Sequence, residues 1–67
     1  MLRIKQERLN AKWTQLYIAR KIGLTRTAVS EIETGKQLPS YKILIKLENL
    51  FNLSHRELFQ EAGLPNE

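Results

Sequence analysis

Residues 14–35 read TQLYIARKIGLTRTAVSEIETG, and their apolar spacing predicts two short helices joined by a tight glycine turn. In the first, over about 15–22, Ile18, Ala19 and Ile22 fall at i, i+1 and i+4 and share one face, while Thr14 is placed to cap the start. Gly23 follows where a helix commonly ends in the left-handed conformation that glycine adopts without strain. Leu24 leads to Thr25, a second N-cap, and to a helix over about 26–33 whose inward residues are Val29 and Ile32. Gly35 closes it. Ala19 and Ala28 are small enough to let the two helices cross closely. This is the geometry of a helix-turn-helix, in which the second helix enters the major groove of DNA.

Three more helices complete an all-α reading of the chain, a single domain over 1–67. Helix 1 covers about 2–11. Pro39 and Ser40 open helix 4, about 41–51, since proline suits a helix entrance and serine caps it. Helix 5, about 55–61, carries the S-x-x-E capping box Ser54–Glu57, with Leu53 and Leu58 as a hydrophobic staple. Gly63 and Pro65 stop it, leaving a tail over 62–67. The segment shows no strand-like alternation, repeat or low-complexity stretch.

Sixty-seven residues without cysteine must be held by helix packing alone, and a hydrophobic share of 42% suffices for one core. The longest aliphatic run, Ile43–Leu44–Ile45, is far below the ~20 residues that span a bilayer, and no signal sequence precedes Arg3. The expectation is a soluble, cytoplasmic chain without membrane partner, cofactor, metal or small-molecule ligand. Charge is uneven: residues 1–46 hold ten Lys/Arg against three Glu, a balance of +7, and residues 47–67 a balance of −3. A basic body with an acidic tail suits a surface that meets a polyanion on one side. With one histidine and no aspartate, no pair of titratable groups suggests an enzyme.

Arg8 interrupts the inward stripe of helix 1, Ile4–Arg8–Ala11, and Glu33 shares a face with Val29 and Ile32. Two opposite charges on the inward faces of neighbouring helices are explained by pairing with each other; the alternative is that each side chain reaches solvent separately.

Gln15, Ala19, Gly23, Val29, Ile32, Glu33 and Gly35, then Pro39 and the SHRELF segment at 54–59, together resemble the phage-repressor (Xre-type, lambda-repressor-like) helix-turn-helix family. The resemblance runs from about residue 2 to 59 and implies a compact five-helix fold. It also implies an Arg–Glu bridge at the positions of Arg8 and Glu33, joining helix 1 to the end of helix 3. Several residues depart from the family pattern. Lys12 occupies the usual glycine before helix 2, and Trp13 replaces a small aliphatic, as core or as a base-stacking residue. Leu16 and Tyr17 stand where exposed acids are frequent, and Glu48 where alanine is usual.

Residues at the start and on the outer face of helix 3 are the candidates for base contact: Arg26, Thr27, Ser30 and Glu31. Arg26 can reach guanine O6 and N7 with both arms of its fork, Thr27 can bond a base or meet a thymine methyl, and Glu31 can accept from cytosine N4. The bland reading of all four is a solvated helix face. Gln15 at the start of helix 2 is the candidate for a phosphate, a role the resemblance also implies. Lys36, Gln37, Ser40 and Lys42 flank it in the same role, and Tyr17 either joins them or covers the side of helix 1.

The expected function is that of a sequence-specific regulator, most simply a repressor, binding double-stranded DNA. One short recognition helix makes few base contacts, so a homodimer on two half-sites about one helical turn (~34 Å) apart is expected. The resemblance places its surface near helix 5, where Leu50, Leu53, Phe59 and Leu64 are candidates. The alternative is a protein-docking module of the antitoxin or coactivator kind, which would carry apolar residues on the groove-facing set.

Overall fold

Four of the five helices begin at a hydroxyl. Thr14 Oγ1 accepts from the backbone N–H of Tyr17 at 3.0 Å, Thr25 Oγ1 from Ala28 at 3.1 Å, Ser40 Oγ from Ile43 at 3.3 Å and Ser54 Oγ from Glu57 at 3.2 Å. Each bond satisfies a donor that has no partner within its own helix. In the computed structural model, which describes residues 1–62, the elements are α1 (Arg3–Asn10), α2 (Gln15–Ile22), α3 (Arg26–Thr34), α4 (Tyr41–Phe51) and α5 (His55–Leu58). Among the described residues the single strand-like feature is an isolated antiparallel bridge between Leu2 and Glu61.

The helix ends are set by residues in the left-handed region. Gly23 (φ 79°) closes α2 and Gly35 (φ 81°) closes α3, and at both positions a Cβ would meet its own carbonyl. Asn52 (φ 58°) closes α4, a role its short polar side chain tolerates. Lys12 (φ 61°) is different: the turn between α1 and α2 keeps the left-handed residue that glycine usually supplies, with a long side chain in its place.

α2 packs against both α3 and α4, while α5 closes the base against α4 and α1. The core consists of Ile4, Ile18, Ala19, Ile22, Val29, Ile32, Leu47 and Leu58, drawn from all five helices. Leu2, Trp13, Leu24, Ile43, Leu50, Phe51, Leu53 and Phe59 pack around it, half-buried. The Trp13 ring lies 5.1 Å from that of Tyr17 and 5.5 Å from that of Phe51, tying the α1–α2 turn to the end of α4. Of the residues expected at a dimer surface, Leu50, Leu53 and Phe59 thus all pack against the core, and Leu64 lies outside the described residues.

α5 is one turn, ending at Leu58 rather than near residue 61. The chain leaves the helix because its next backbone groups are taken by the N-terminus. Arg3 N–H donates to the Gln60 carbonyl at 2.9 Å, and Ala62 N–H to that of Met1 at 2.7 Å. The Met1 ammonium adds an ion pair with Glu61 at 3.0 Å. The start of α5 is correspondingly well held. Besides the full Ser54–Glu57 capping box, Glu48 Oε2 accepts from the His55 backbone N–H at 2.7 Å and lies 2.8 Å from His55 Nδ1. Glu48 is thus a second cap for α5, supplied by α4.

Two predictions follow from these strained and capped positions. Lys12→Gly removes the Cβ clash of a left-handed residue, and part of that gain is offset by a more flexible unfolded chain, for a net stabilisation of roughly 0.5–1 kcal/mol. Denaturant unfolding should show it, with Lys12→Ala giving no such gain; equal stability of the glycine and alanine variants would contradict the strain.

The second prediction concerns pH. Hydrogen bonds from the His55 side chain and then its backbone N–H hold the Glu48 carboxyl below its ordinary 4.5. The Ser54 backbone N–H and then its hydroxyl do the same for Glu57. Since the folded values are lowered, the unfolded chain takes up protons first. The stabilisation is therefore full above pH ~4.5 and is lost as the pH falls through the lowered folded values. Tm should fall on acidification below that point, and fall less steeply in Glu48→Gln/Glu57→Gln. An unchanged slope in the double variant would place the acid sensitivity elsewhere.

Candidate nucleic-acid interface

The inward charges of α1 and α3 meet. Arg8 Nε donates to Glu33 Oε2 at 2.6 Å, Nη2 donates to Oε1 at 3.3 Å, and Nη1 donates to the Trp13 carbonyl at 2.9 Å. The side chains are 10% and 1% exposed, so this is a two-pronged buried pair, further bonded by the Trp13 carbonyl on the arginine side and by the Gln15 side chain on the carboxylate side. No buried side-chain nitrogen or oxygen among the described residues lacks a partner, which is the condition under which a buried pair is tolerated.

The pair reaches outward through Gln15. Gln15 Nε2 donates to Glu33 Oε1 at 3.0 Å, which turns Gln15 Oε1 towards the guanidinium of Arg26, whose Nη1 lies 3.5 Å away. A chain of polar contacts therefore links the buried carboxylate of α3 to the first turn of the same helix by way of the start of α2. The sequence suggested the Arg8–Glu33 pair but not the Gln15 connection, because an amide carries no charge to mark its direction. One of the two amide hydrogens of Gln15 remains for a phosphate.

Arg26 and Thr27 are exposed, while Ser30 and Glu31 are half-buried on the same outer face. Glu31 takes part in no ion pair among the described residues; its carbonyl instead accepts from the Lys36 and Gln37 N–H groups at 2.9 and 3.3 Å. Thr34 Oγ1 donates back to the carbonyls of Ser30 and Glu31 at 3.1 and 3.2 Å. These bonds turn the chain sharply after α3 and leave the side chains of Lys36, Gln37, Ser40 and Lys42 exposed along the loop and the opening of α4. Ser40 Oγ accepts from the Ile43 N–H, so its own proton is free for an anion. Tyr17 lies against Trp13, with the Lys21 ammonium 5.5 Å from its ring centroid. On the far side of α2, Lys46 Nζ lies 3.5 Å from the Ile22 carbonyl and covers the end of that helix. No group of three or more His, Cys, Asp or Glu that could hold a metal occurs among the described residues, and none of their helices is long and apolar enough to cross a membrane.

Two capped helices joined at a left-handed glycine, packed on a third and presenting a polar second helix, define a helix-turn-helix domain. A helix-turn-helix family model matches residues 4–58, and the chain belongs to this Xre-type, lambda-repressor-like family. It is 39% identical over 51 residues to YqaE of Bacillus subtilis, described as an uncharacterized HTH-type transcriptional regulator, covering 76% of this chain and 44% of that protein. It is 33% identical over 57 residues to an uncharacterized HTH-type transcriptional regulator of Archaeoglobus fulgidus, covering 85% and 80%. The ImmF control region 10 kDa protein of Bacillus phage phi105 is 40% identical over 50 residues, covering 75% and 56%. The chain thus spans about half the length of the B. subtilis and phage relatives. No solved structure matches it significantly.

Glu33→Ala tests the buried pair. It leaves the Arg8 guanidinium buried without its counter-charge, which typically destabilises by about 3–5 kcal/mol. That is comparable with the whole stability of a domain this size, roughly 3–10 kcal/mol. Arg8→Met/Glu33→Leu should recover much of the loss, since a well-packed apolar replacement removes both desolvated charges together. Urea unfolding of the three chains measures this, and a single variant within about 1 kcal/mol of the parent would show that the pair does not hold α1 to α3.

Proposed function

We propose that this chain is a sequence-specific regulator of transcription, a repressor that binds a near-palindromic operator in double-stranded DNA as a homodimer in the cytoplasm. The observation that carries the reading is the outer face of α3. Arg26 and Thr27 are exposed at its first turn, on a helix whose end is fixed to α1 by the Arg8–Glu33 pair. A preset helix with a forked cation at its leading end suits major-groove readout, where arginine takes guanine O6 and N7 together. Thr27, Ser30 and Glu31 complete the base-reading face. Gln15, Lys36, Gln37, Ser40 and Lys42 hold the flanking phosphates, with Tyr17 beside them, and these contacts fix register without carrying sequence information.

The relatives described as HTH-type transcriptional regulators, and the phage protein named for a control region, support this reading. Regulation would follow from occupancy of the DNA, without catalysis or a cofactor. A protein-docking role for α3 is the weaker reading, because its outer face is polar throughout and offers no apolar anchor of the kind that dominates protein interfaces.

Capture of sheared genomic DNA by the purified chain at moderate salt, followed by sequencing, should enrich an inverted repeat. Retention without a motif, vanishing as salt rises, would leave only charge attraction. On the enriched site, Arg26→Ala should weaken binding by about 1–3 kcal/mol while binding to unrelated DNA stays nearly unchanged. Equal loss on both DNAs would remove the base-reading role.

A further inference from the structure

Four of the described residues stand in the left-handed region. Gly23, Gly35 and Asn52 are of types that enter it at little cost. The fourth is Lys12 (φ 61°), whose Cβ crowds the carbonyl oxygen that follows it. An exposed lysine by itself needs no explanation. A lysine kept where glycine or asparagine would make the same turn with less strain does, because strained residues persist where the surroundings over-determine them and cluster at binding sites.

Here the surroundings are set by one residue. Lys12 N–H donates to the Leu9 carbonyl at 3.0 Å and Trp13 N–H to the Arg8 carbonyl at 3.1 Å, while Arg8 Nη1 donates to the Trp13 carbonyl at 2.9 Å. Arg8 thus holds both backbone groups of the residue after Lys12, and the same guanidinium is paired with Glu33 near the end of α3. The base of the Lys12 side chain therefore keeps a fixed relation to α3. The side chain itself is exposed and takes part in no ion pair among the described residues.

We propose that Lys12 binds a DNA phosphate beside the one assigned to Gln15, and that the left-handed turn is retained because it holds the ammonium there. Gln15 is three residues on, so the two Cα atoms are at most ~11 Å apart. Over that length one strand carries about three phosphates, at ~3.4 Å of axis each. The two side chains can then engage one stretch of backbone from the same edge. The Gln15 amide is directed by Glu33 but carries no charge, and Lys12 supplies it. The other cations assigned to phosphates, Lys36 and Lys42, both follow α3, whereas Gln15 and Tyr17 before it are neutral. Lys12 gives the leading side of the helix pair a cation of its own. This inference rests on the DNA-binding reading above.

The parent chain, Lys12→Gln, Lys12→Gly, Lys12→Arg and Arg56→Gln are titrated on the enriched inverted repeat and on an unrelated duplex of equal length, from about 50 to 300 mM salt. Lys12→Gln keeps the side-chain length and removes the charge, and Arg56→Gln removes the same charge from the α5 side. Lys12→Gln should bind both duplexes more weakly at the lowest salt, by about three- to tenfold, with the preference between them unchanged. Its slope of log affinity against log salt should be shallower by about 0.9 per bound chain. Lys12→Arg and Arg56→Gln should keep the parent's slope. Lys12→Gly should bind as weakly as Lys12→Gln while resisting denaturant better than the parent, so that the more stable chain is the poorer binder. A parent-like slope in Lys12→Gln overturns the proposal and leaves DNA reading intact. An equal loss of slope in Arg56→Gln would trace the effect to net charge and also overturns it. Should no site be enriched, sequence-specific reading fails, and the slopes on the unrelated duplex alone decide the role of Lys12.

Discussion

The Arg8–Glu33 pair is the constraint on which the remaining geometry depends. α3 packs on α2 through Val29 and Ile32, but apolar contacts alone leave a short helix free to rotate and slide by small amounts. A forked, charge-assisted bond at 2.6 Å does not, because both directions and both distances must be met together. Removing charges from water is unfavourable, and replacement by apolar residues would be tolerated as packing. What the pair contributes is direction: it sets where the end of α3 stands relative to α1, and through Gln15 it extends that control to the first turn of the helix, where Arg26 stands. A fixed direction for α3, rather than added burial, is what the pair supplies.

Much of this architecture was legible because it is local. A hydroxyl before an apolar stripe and a glycine after it mark both ends of α2 and α3, and the S-x-x-E box marks the start of α5. Arg8 and Glu33 were visible as charges breaking apolar stripes. The features that escaped the sequence depend on residues distant along the chain. α5 stops early because its following backbone pairs with Met1 and Arg3, some sixty residues away. Glu48 caps α5 from α4, seven residues upstream, a spacing that belongs to no single helix. The left-handed φ of Lys12 was hidden by its side chain, since only the resemblance marked the position as glycine-like. Gln15 showed its place at a helix start but not the direction of its amide, which the buried carboxylate decides.

The division of labour along the surface follows the charge. The basic portion, residues 1–46, contains every candidate for DNA contact, and the acidic portion, residues 47–67, contains none. Stability is divided in the same way. The start of α5 is held by the Glu48 and Glu57 carboxylates, which accept backbone N–H groups, while α2 and α3 begin at the hydroxyl caps of Thr14 and Thr25.

The hydrogen bonds between Met1 and Ala62 and between Arg3 and Gln60 have a consequence for how such a unit can be built into larger proteins. Residues 1 and 62 lie side by side, so a host chain joined at these two points could enter and leave across almost no distance. A domain of that shape behaves as a cassette: spliced into an exposed loop, it would ask its host to part by only a few ångströms, and α3 would keep its orientation to its own core.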